Sequence, residues 1–249
     1  MKLAGRIALV TGAGQGNGAA IAAGLAAEGA EVVVTDRDPA TAARTAATIA
    51  AEGGTARAWP LDVTDAAACN ALAATVAREI GDVGVLVNNA GICPRHRIDD
   101  PAARLLWQAA LDVNLNGTLN VTLAFLPALR RSRGSIINIA SIAAFVATAT
   151  SIGYGTSKAA VRMLTQNLAQ ELAPDGVRVN AIAPGTFATA MTEATRQDPA
   201  RAARFLARIP LGRFGEPAEM VGPVVFLASS MSSYVTGTTL VVDGGYLAV

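Results

Sequence analysis

The sequence contains a single histidine, His96, and only two cysteines, Cys69 and Cys93. The cysteines lack CxxC or other metal-ligand spacing, and no ligand cluster surrounds His96, so no metal centre is expected. Both thiols read as small apolar side chains of a protein from a reducing, cytoplasmic compartment. Charge is also scarce: charged residues make up 16%, and 20 basic against 19 acidic side chains leave a net charge of +1. That balance gives no electrostatic case for nucleic acid or a membrane surface as partner. No apolar run approaches the ~20 residues of a membrane span. The first run, near the N-terminus, stops at a glycine-rich segment, so no signal peptide is visible. Low-complexity linkers are missing, and so is any repeat of about 20–50 residues.

What is present is apolar material, 52% of 249 residues. That fills a core and leaves a surplus, consistent with burial between subunits. Short β-branched runs at Ile7–Thr11, Glu31–Asp36, 56–61, Val83–Asn88, 134–140, 177–183 and Thr239–Val242 alternate with longer, alanine-rich segments. Most of the runs are apolar on both faces, as strands covered by helices must be. Helices are expected at about 16–28, 39–52, 65–80, 102–130, 153–173 and 216–229, with starts marked by Asp38-Pro39, Thr64-Asp65 and Glu216-Pro217. The alternation predicts an α/β fold: one doubly wound (Rossmann) domain over 1–249, with a seven-stranded parallel sheet and helices on both faces.

Residues 11–18 read Thr-Gly-Ala-Gly-Gln-Gly-Asn-Gly between the first strand and the first helix. A dinucleotide site requires that context. Gly12 permits the turn, while Gly16 and Gly18 leave room for a pyrophosphate and for close helix–sheet packing. Gln15 and Asn17 complete the loop as cofactor contacts, and the helix N-terminus favours phosphate. Asp36 ends the second strand, 18 residues after Gly18. A carboxylate there accepts hydrogen bonds from ribose hydroxyls and repels a 2′-phosphate, so NAD is the expected cofactor. Arg37 is the complication, since a guanidinium can pair with that phosphate.

Tyr154 and Lys158 stand four residues apart on an expected helix and share a face. A free phenol, with a pKa of about 10, is a poor base near neutrality. An ammonium one turn away is expected to lower that value. Tyr154 then exchanges a proton with an alcohol or ketone oxygen, which Ser141 holds in place. The hydride passes between substrate carbon and nicotinamide.

These segments resemble the short-chain dehydrogenase/reductase family from end to end. The match rests on the glycine loop, Asp62-Val63, Asn88-Asn89-Ala90-Gly91, Asn114, Ser141, Tyr154 to Lys158, Pro184-Gly185 with Thr186 and Thr189, 212–217 and 242–245. The resemblance implies that Asp62 and Val63 flank the adenine, and that Asn89, Ala90 and Gly91 line the adenosine ribose and the central sheet. It makes Asn114 the residue that holds a water in a proton relay, and it has Lys158 bond the nicotinamide ribose. Pro184, Gly185, Thr186 and Thr189 would meet the carboxamide and pyrophosphate. It also implies a homotetramer packed through the helices around 102–130 and 153–173. Asn17, where the family usually has an apolar residue, and Ala144, in place of a frequent glycine, depart from the pattern. Gly153 and Gly155 flank the tyrosine.

Three segments are expected to shape the substrate pocket: 92–97, 142–153, and an insertion at about 187–209 that resembles a lid. The apolar middle segment points to a hydrophobic ketone or secondary alcohol. Arg95, His96 and Arg97 read either as a solvated basic loop or as a carboxylate or phosphate contact. The leading expectation is an NAD-dependent alcohol dehydrogenase or ketone reductase. The alternatives are a 3-oxoacyl-thioester reductase and a catalytically silent dinucleotide-binding protein.

Overall fold

The apolar runs become strands because both of their faces are covered. The computed structural model describes residues 1–148 and 150–249. Strands β1 (Ile7–Thr11), β2 (Glu31–Asp36), β3 (Thr55–Pro60), β4 (Val83–Asn88), β5 (Ser135–Ile139), β6 (Arg178–Pro184) and β7 (Thr239–Val242) form one sheet in the order 3-2-1-4-5-6-7. Every pairing in it is parallel. Side chains alternate across the sheet. Ala8, Val10, Val32, Val34, Val85 and Val87 join one core, and Leu9, Val33 and Leu86 the other.

The helices are α1 (Gly16–Ala27), α2 (Pro39–Ala51), α3 (Ala66–Glu79), α4 (Ala103–Leu111), α5 (Gly117–Ser132), α6 (Ile152–Leu172), α7 (Glu193–Arg196), α8 (Pro199–Leu206) and α9 (Val221–Ala228). Side chains of α1, α2 and α9 fill the first core; those of α3, α5 and α6 fill the second. Asp38 accepts from the Ala40 amide and Asp65 from the Ala68 amide, each at 2.9 Å, so both expected caps are made. Among the described residues no helix is long and apolar enough to cross a membrane.

Two helices differ from expectation. The segment at 216–229 begins as a 3₁₀ turn, Pro217–Met220, held by a capping box between Glu216 and Glu219. The segment at 102–130 is two helices, α4 and α5, separated by a π-helical turn at Asp112–Asn116. A π turn lengthens the hydrogen-bonding step by one residue but uses helix-compatible side chains, so the apolar pattern does not betray it. The turn swings Asn114 inward, where it is fully buried.

Strand order reverses between β1 and β4, which are neighbours in the sheet. A crevice opens there at the carboxyl ends of the strands, the place where such sheets bind ligands.

Candidate active site

Thr11 closes β1 and ties it to the end of β4. Its Oγ1 accepts from the Asn89 and Ala90 amides, each at 3.0 Å. In return Asn89 Nδ2 donates to the carbonyls of Thr11 and Gly12, each at 2.9 Å. The glycine loop is thereby clamped before the helix begins. Gly12 has φ of +59°, and a Cβ there would lie 2.8 Å from Ala90 Cα. A Cβ on Gly18 would collide with the Gly12 carbonyl oxygen and lie 2.9 Å from Ala13 Cα. The first position serves the turn, and the second lets α1 approach the strand.

The beginning of α1 has no side-chain cap and no acidic residue in its first turn. Its leading amides are therefore available to an anion. Asn17 Oδ1 is buried with no hydrogen-bond partner in the same loop, an orphaned acceptor aimed at a ligand's donor. Asp36 Oδ2 accepts from the Gly14 amide at 2.9 Å, and Oδ1 from the Asp38 amide at 3.1 Å. Each carboxylate oxygen retains acceptor capacity beyond one such bond. Hydrogen bonds from the Thr64 hydroxyl and amide hold the Asp62 carboxyl below its ordinary range, with a further contribution from the Arg37 guanidinium. The Arg37 charge reaches Asp62 only weakly, and the two form no ion pair among the described residues. Backbone room, free amides and an orphaned acceptor together fit a dinucleotide.

These features border a cavity of about 370 Å³. Every residue expected to contact the cofactor lines it except Thr186, which faces a separate small cavity beside Arg213, Glu219 and Asp243. Ile92, Val113, Ile139, Phe187 and Met191 also line it. They are apolar residues without a motif, and only their proximity in the fold identifies them.

The catalytic candidates converge on the same cavity. Ser151 caps α6 by accepting from the Tyr154 amide at 3.3 Å, which fixes the start of the helix and the tyrosine on it. Gly153 lets that turn pack against α4, since a Cβ would lie 3.0 Å from Trp107 Cα. Ser141 follows β5, and its Oγ accepts from the Ala143 amide at 3.1 Å. It serves as a turn cap and lies close enough to Tyr154 to favour the ionised phenol. Lys158 is buried and donates from Nζ to the Ile139 carbonyl at 2.7 Å.

Asn114 lies behind the cavity wall rather than on it. Its Oδ1 accepts from the Ile92 amide at 2.8 Å, and Nδ2 donates to the Ile92 carbonyl at 3.0 Å and to Ser157 Oγ at 2.9 Å. Ser157 sits inside the Tyr154–Lys158 motif, yet nothing in the sequence gave it a role. Gly91 holds Asn114 and Lys158 close together: a Cβ there would be 3.2 Å from Asn114 Oδ1 and 3.4 Å from Lys158 Nζ.

The expected acidification of Tyr154 by Lys158 is not what the protein groups produce. Burial dominates and pushes the phenol up to about 12, opposed by the Ser141 hydroxyl and, more weakly, the Arg95 charge. Lys158 Nζ stands 6.0 Å from the ring centroid and is turned to the Ile139 carbonyl. Burial also lowers the lysine itself to about 8. The protein alone therefore favours a protonated Tyr154, the form that donates to a ketone. Cys93 is close enough for Lys158 to act on it, but burial raises its thiol, so it is an inert packing residue.

A family model described as enoyl-(acyl carrier protein) reductase matches residues 12–247. The chain belongs to the short-chain dehydrogenase/reductase family. It is 42% identical over 254 residues to an L-rhamnose 1-dehydrogenase (NAD(P)(+)) of Azotobacter vinelandii, covering 98% of each chain. It is 43% identical over 248 residues to a 3-alpha-(or 20-beta)-hydroxysteroid dehydrogenase of Mycobacterium tuberculosis, covering 99% of this chain and 91% of the relative. Among solved structures, a gluconate 5-dehydrogenase from Burkholderia cenocepacia in complex with NADP and tartrate superposes with a TM-score of 0.94 at 38% identity. That match covers 100% of this chain and 97% of the other. The protein is thus an NAD(P)-dependent oxidoreductase of secondary alcohols and ketones.

Proposed function

We propose that this dehydrogenase/reductase prefers NAD and uses Tyr154 as its general acid and base. The observation that carries the proposal is the convergence of Tyr154, Ser141 and Lys158 on the cleft that the glycine loop opens. The bound nicotinamide accepts or delivers the hydride at the substrate carbon. Ser141 and Tyr154 hold the substrate oxygen, and Tyr154 gives it a proton in reduction. In oxidation the same phenol takes the proton, a role that requires positive charge in the cleft to overcome its burial. Lys158 bonds the nicotinamide ribose. Asn114 positions the loop at Ile92 and the Lys158 turn through Ser157, and it supports the water of a relay behind the lysine. Asp36 takes the adenosine ribose hydroxyls, and its charge outweighs that of Arg37 in setting cofactor choice.

Single-domain behaviour, a lid formed by 187–209, a reducing cytoplasmic location suited to two free thiols, and a homotetramer belong to the same reading. Exposed Leu105, Leu123 and Met163 on α4, α5 and α6 support the tetramer. Light scattering that reports a monomer at micromolar concentration ends that part.

The test is a screen of alcohols and ketones against both cofactors, followed by nicotinamide absorbance, on the wild type and Tyr154→Phe. The variant keeps the ring and loses the proton. Turnover is expected to fall by about 10²–10⁴, with dinucleotide affinity within about twofold. Near-normal turnover of the variant removes Tyr154 from the chemistry.

A further inference from the structure

A second cavity, about 670 Å³, lies beside the dinucleotide cleft and is built from the three segments read as substrate-facing. Its wall carries Arg95 and Arg97 from the loop after β4, and Arg201, Arg204 and Arg208 from α8 and its last turn. Asp100 is the one carboxylate among the lining residues. Arg201 and Arg204, three apart on α8, share one helical face, and Arg208 follows in the turn after the helix.

Part of this charge is compensated at the rim. Arg97 pairs with Asp99 at 3.2 Å and Arg201 with Asp198 at 3.3 Å, all four side chains being well exposed. Arg204 and Arg208 differ. Arg204 makes no hydrogen bond or ion pair to any described residue. Arg208 lies 4.3 Å over the Tyr246 ring and donates to its hydroxyl at 3.2 Å and to the Val249 carbonyl at 3.3 Å. Stacking on Tyr246 fixes the orientation of this guanidinium at the cavity wall.

The histidine adds a second polar demand. His96 Nδ1 faces the Pro94 carbonyl at 3.0 Å. That carbonyl can only accept, so Nδ1 carries the hydrogen and Nε2 is the acceptor. Nε2 is buried and has no partner among the described residues, which calls for a ligand hydroxyl.

Two connections tie this cavity to the dinucleotide cleft. The loop that ends at His96 begins at Ile92, a wall of the dinucleotide cleft, and Arg95 binds Thr195 Oγ1 at 2.9 Å just beyond cleft residue Thr192.

We propose that this cavity is the substrate's anion subsite: Arg204 and Arg208 hold the carboxylate of a small hydroxylated organic acid, and His96 Nε2 accepts from one of its hydroxyls while its carbinol carbon reaches Tyr154. The proposal rests on the role of Tyr154 given above and replaces the hydrophobic substrate expected from segment 142–153. Fork-shaped guanidinium recognition of a carboxylate supplies the affinity, and a cleft lined by one sign of charge concentrates the acid.

Calorimetry on the enzyme saturated with dinucleotide tests this, with tartrate as the hydroxylated acid, threitol as its neutral counterpart, and inorganic phosphate as the other oxyanion. Tartrate is expected to bind at least about 10-fold tighter than threitol, and Arg204→Gln to remove about 10-fold of that affinity. The Arg204 side chain has no hydrogen bond or ion pair to a described residue to lose, so thermal melting of this variant is expected to match the wild type. Arg208→Gln provides a second reading, with thermal melting to confirm folding. Equal binding of tartrate and threitol, or unchanged tartrate binding in both arginine variants, overturns the subsite. Phosphate binding more tightly than tartrate, and dependent on Arg204, overturns its assignment to a carboxylate. Tyr154→Phe retains tartrate binding if the subsite is correct. Loss of the redox reading alone would show as intact, arginine-dependent tartrate binding with no turnover of any alcohol or ketone.

Discussion

The two cavities of this protein are built in different ways. The dinucleotide cleft is made by backbone: a glycine loop clamped by Thr11 and Asn89, a helix start without a cap, and strand ends at the point where the sheet order reverses. The neighbouring cavity is made by side chains, mostly arginines, carried on segments about 100 residues apart in sequence. The first leaves little freedom, because its shape is set by what cannot fit. The second can be rewritten by exchanging a few charges while the sheet stays as it is. That division matches an enzyme family that keeps one cofactor chemistry and varies its substrates.

The sharpest way to break this contrast is to fill the backbone-made cavity. Gly18→Ala places a methyl against the Gly12 carbonyl and the Asn89 amide. Either the loop or α1 must move, at a cost of about 1–3 kcal/mol in stability. Dinucleotide affinity, followed by fluorescence quenching, is expected to fall by at least about 100-fold. A variant that binds as tightly as the wild type would show that the loop is far less constrained than its contacts imply.

The same contrast explains what the sequence could reveal. The central strands could be read from it because two-sided burial demands unbroken β-branched runs such as Val32-Val33-Val34, whereas the edge strand β3, Thr-Ala-Arg-Ala-Trp-Pro, is partly exposed and was legible only by its place in the alternation. The glycine loop was equally legible, since a missing side chain is itself the signal. The π turn at Asp112–Asn116 was not, because Asp-Val-Asn-Leu-Asn satisfies a helix with either hydrogen-bonding step. Nor was the role of Ile139, which acts through its carbonyl on Lys158 and whose side chain says nothing of it. Arg204 and Arg208 look like the solvated face of a short helix until the fold sets them opposite Arg95 and His96. Tyr154 and Lys158 were found by spacing, but spacing could not show that burial outweighs their mutual charge effect.

That last point yields the next expected effect. Folding lowers the Lys158 pKa from 10.5 to about 8 by burial. Below pH 8 both folded and unfolded chains carry the ammonium, and the full cost of burying it is present. Between about 8 and 10.5 the unfolded chain holds more protons, so stability rises with pH, and above that range the cost is gone. Lys158→Met removes the group and with it this slope. Denaturant unfolding at pH 7 and pH 10 should show the wild type gaining roughly 2–4 kcal/mol relative to the variant across that interval. The Tyr154 contribution has the opposite sign, with stability lost as pH rises from 10 to about 12, and it lies outside the interval. An identical pH response in both proteins would mean that the lysine is not desolvated.

The smallest effect concerns the one place where a side chain intrudes on the backbone-made cleft. Asp36 pins the Gly14 amide and lines the cleft; in the proposed reading its charge repels a 2′-phosphate. Asp36→Asn keeps an acceptor for that amide and removes only the charge. If charge sets cofactor choice, the NAD:NADP ratio of kcat/KM should fall by about 10-fold or more, since like charges a few ångströms apart near a surface repel by several RT. If the Gly14 contact is what matters, the ratio should stay fixed and stability should hardly change. Arg37→Gln separates the remaining possibility. If the Asp36 charge sets the preference, this variant should leave the ratio within about twofold in the wild-type background. A large drop in NADP use on that substitution would show that Arg37 engages the phosphate despite Asp36, and cofactor choice would then rest on a side-chain balance like the one in the arginine cavity.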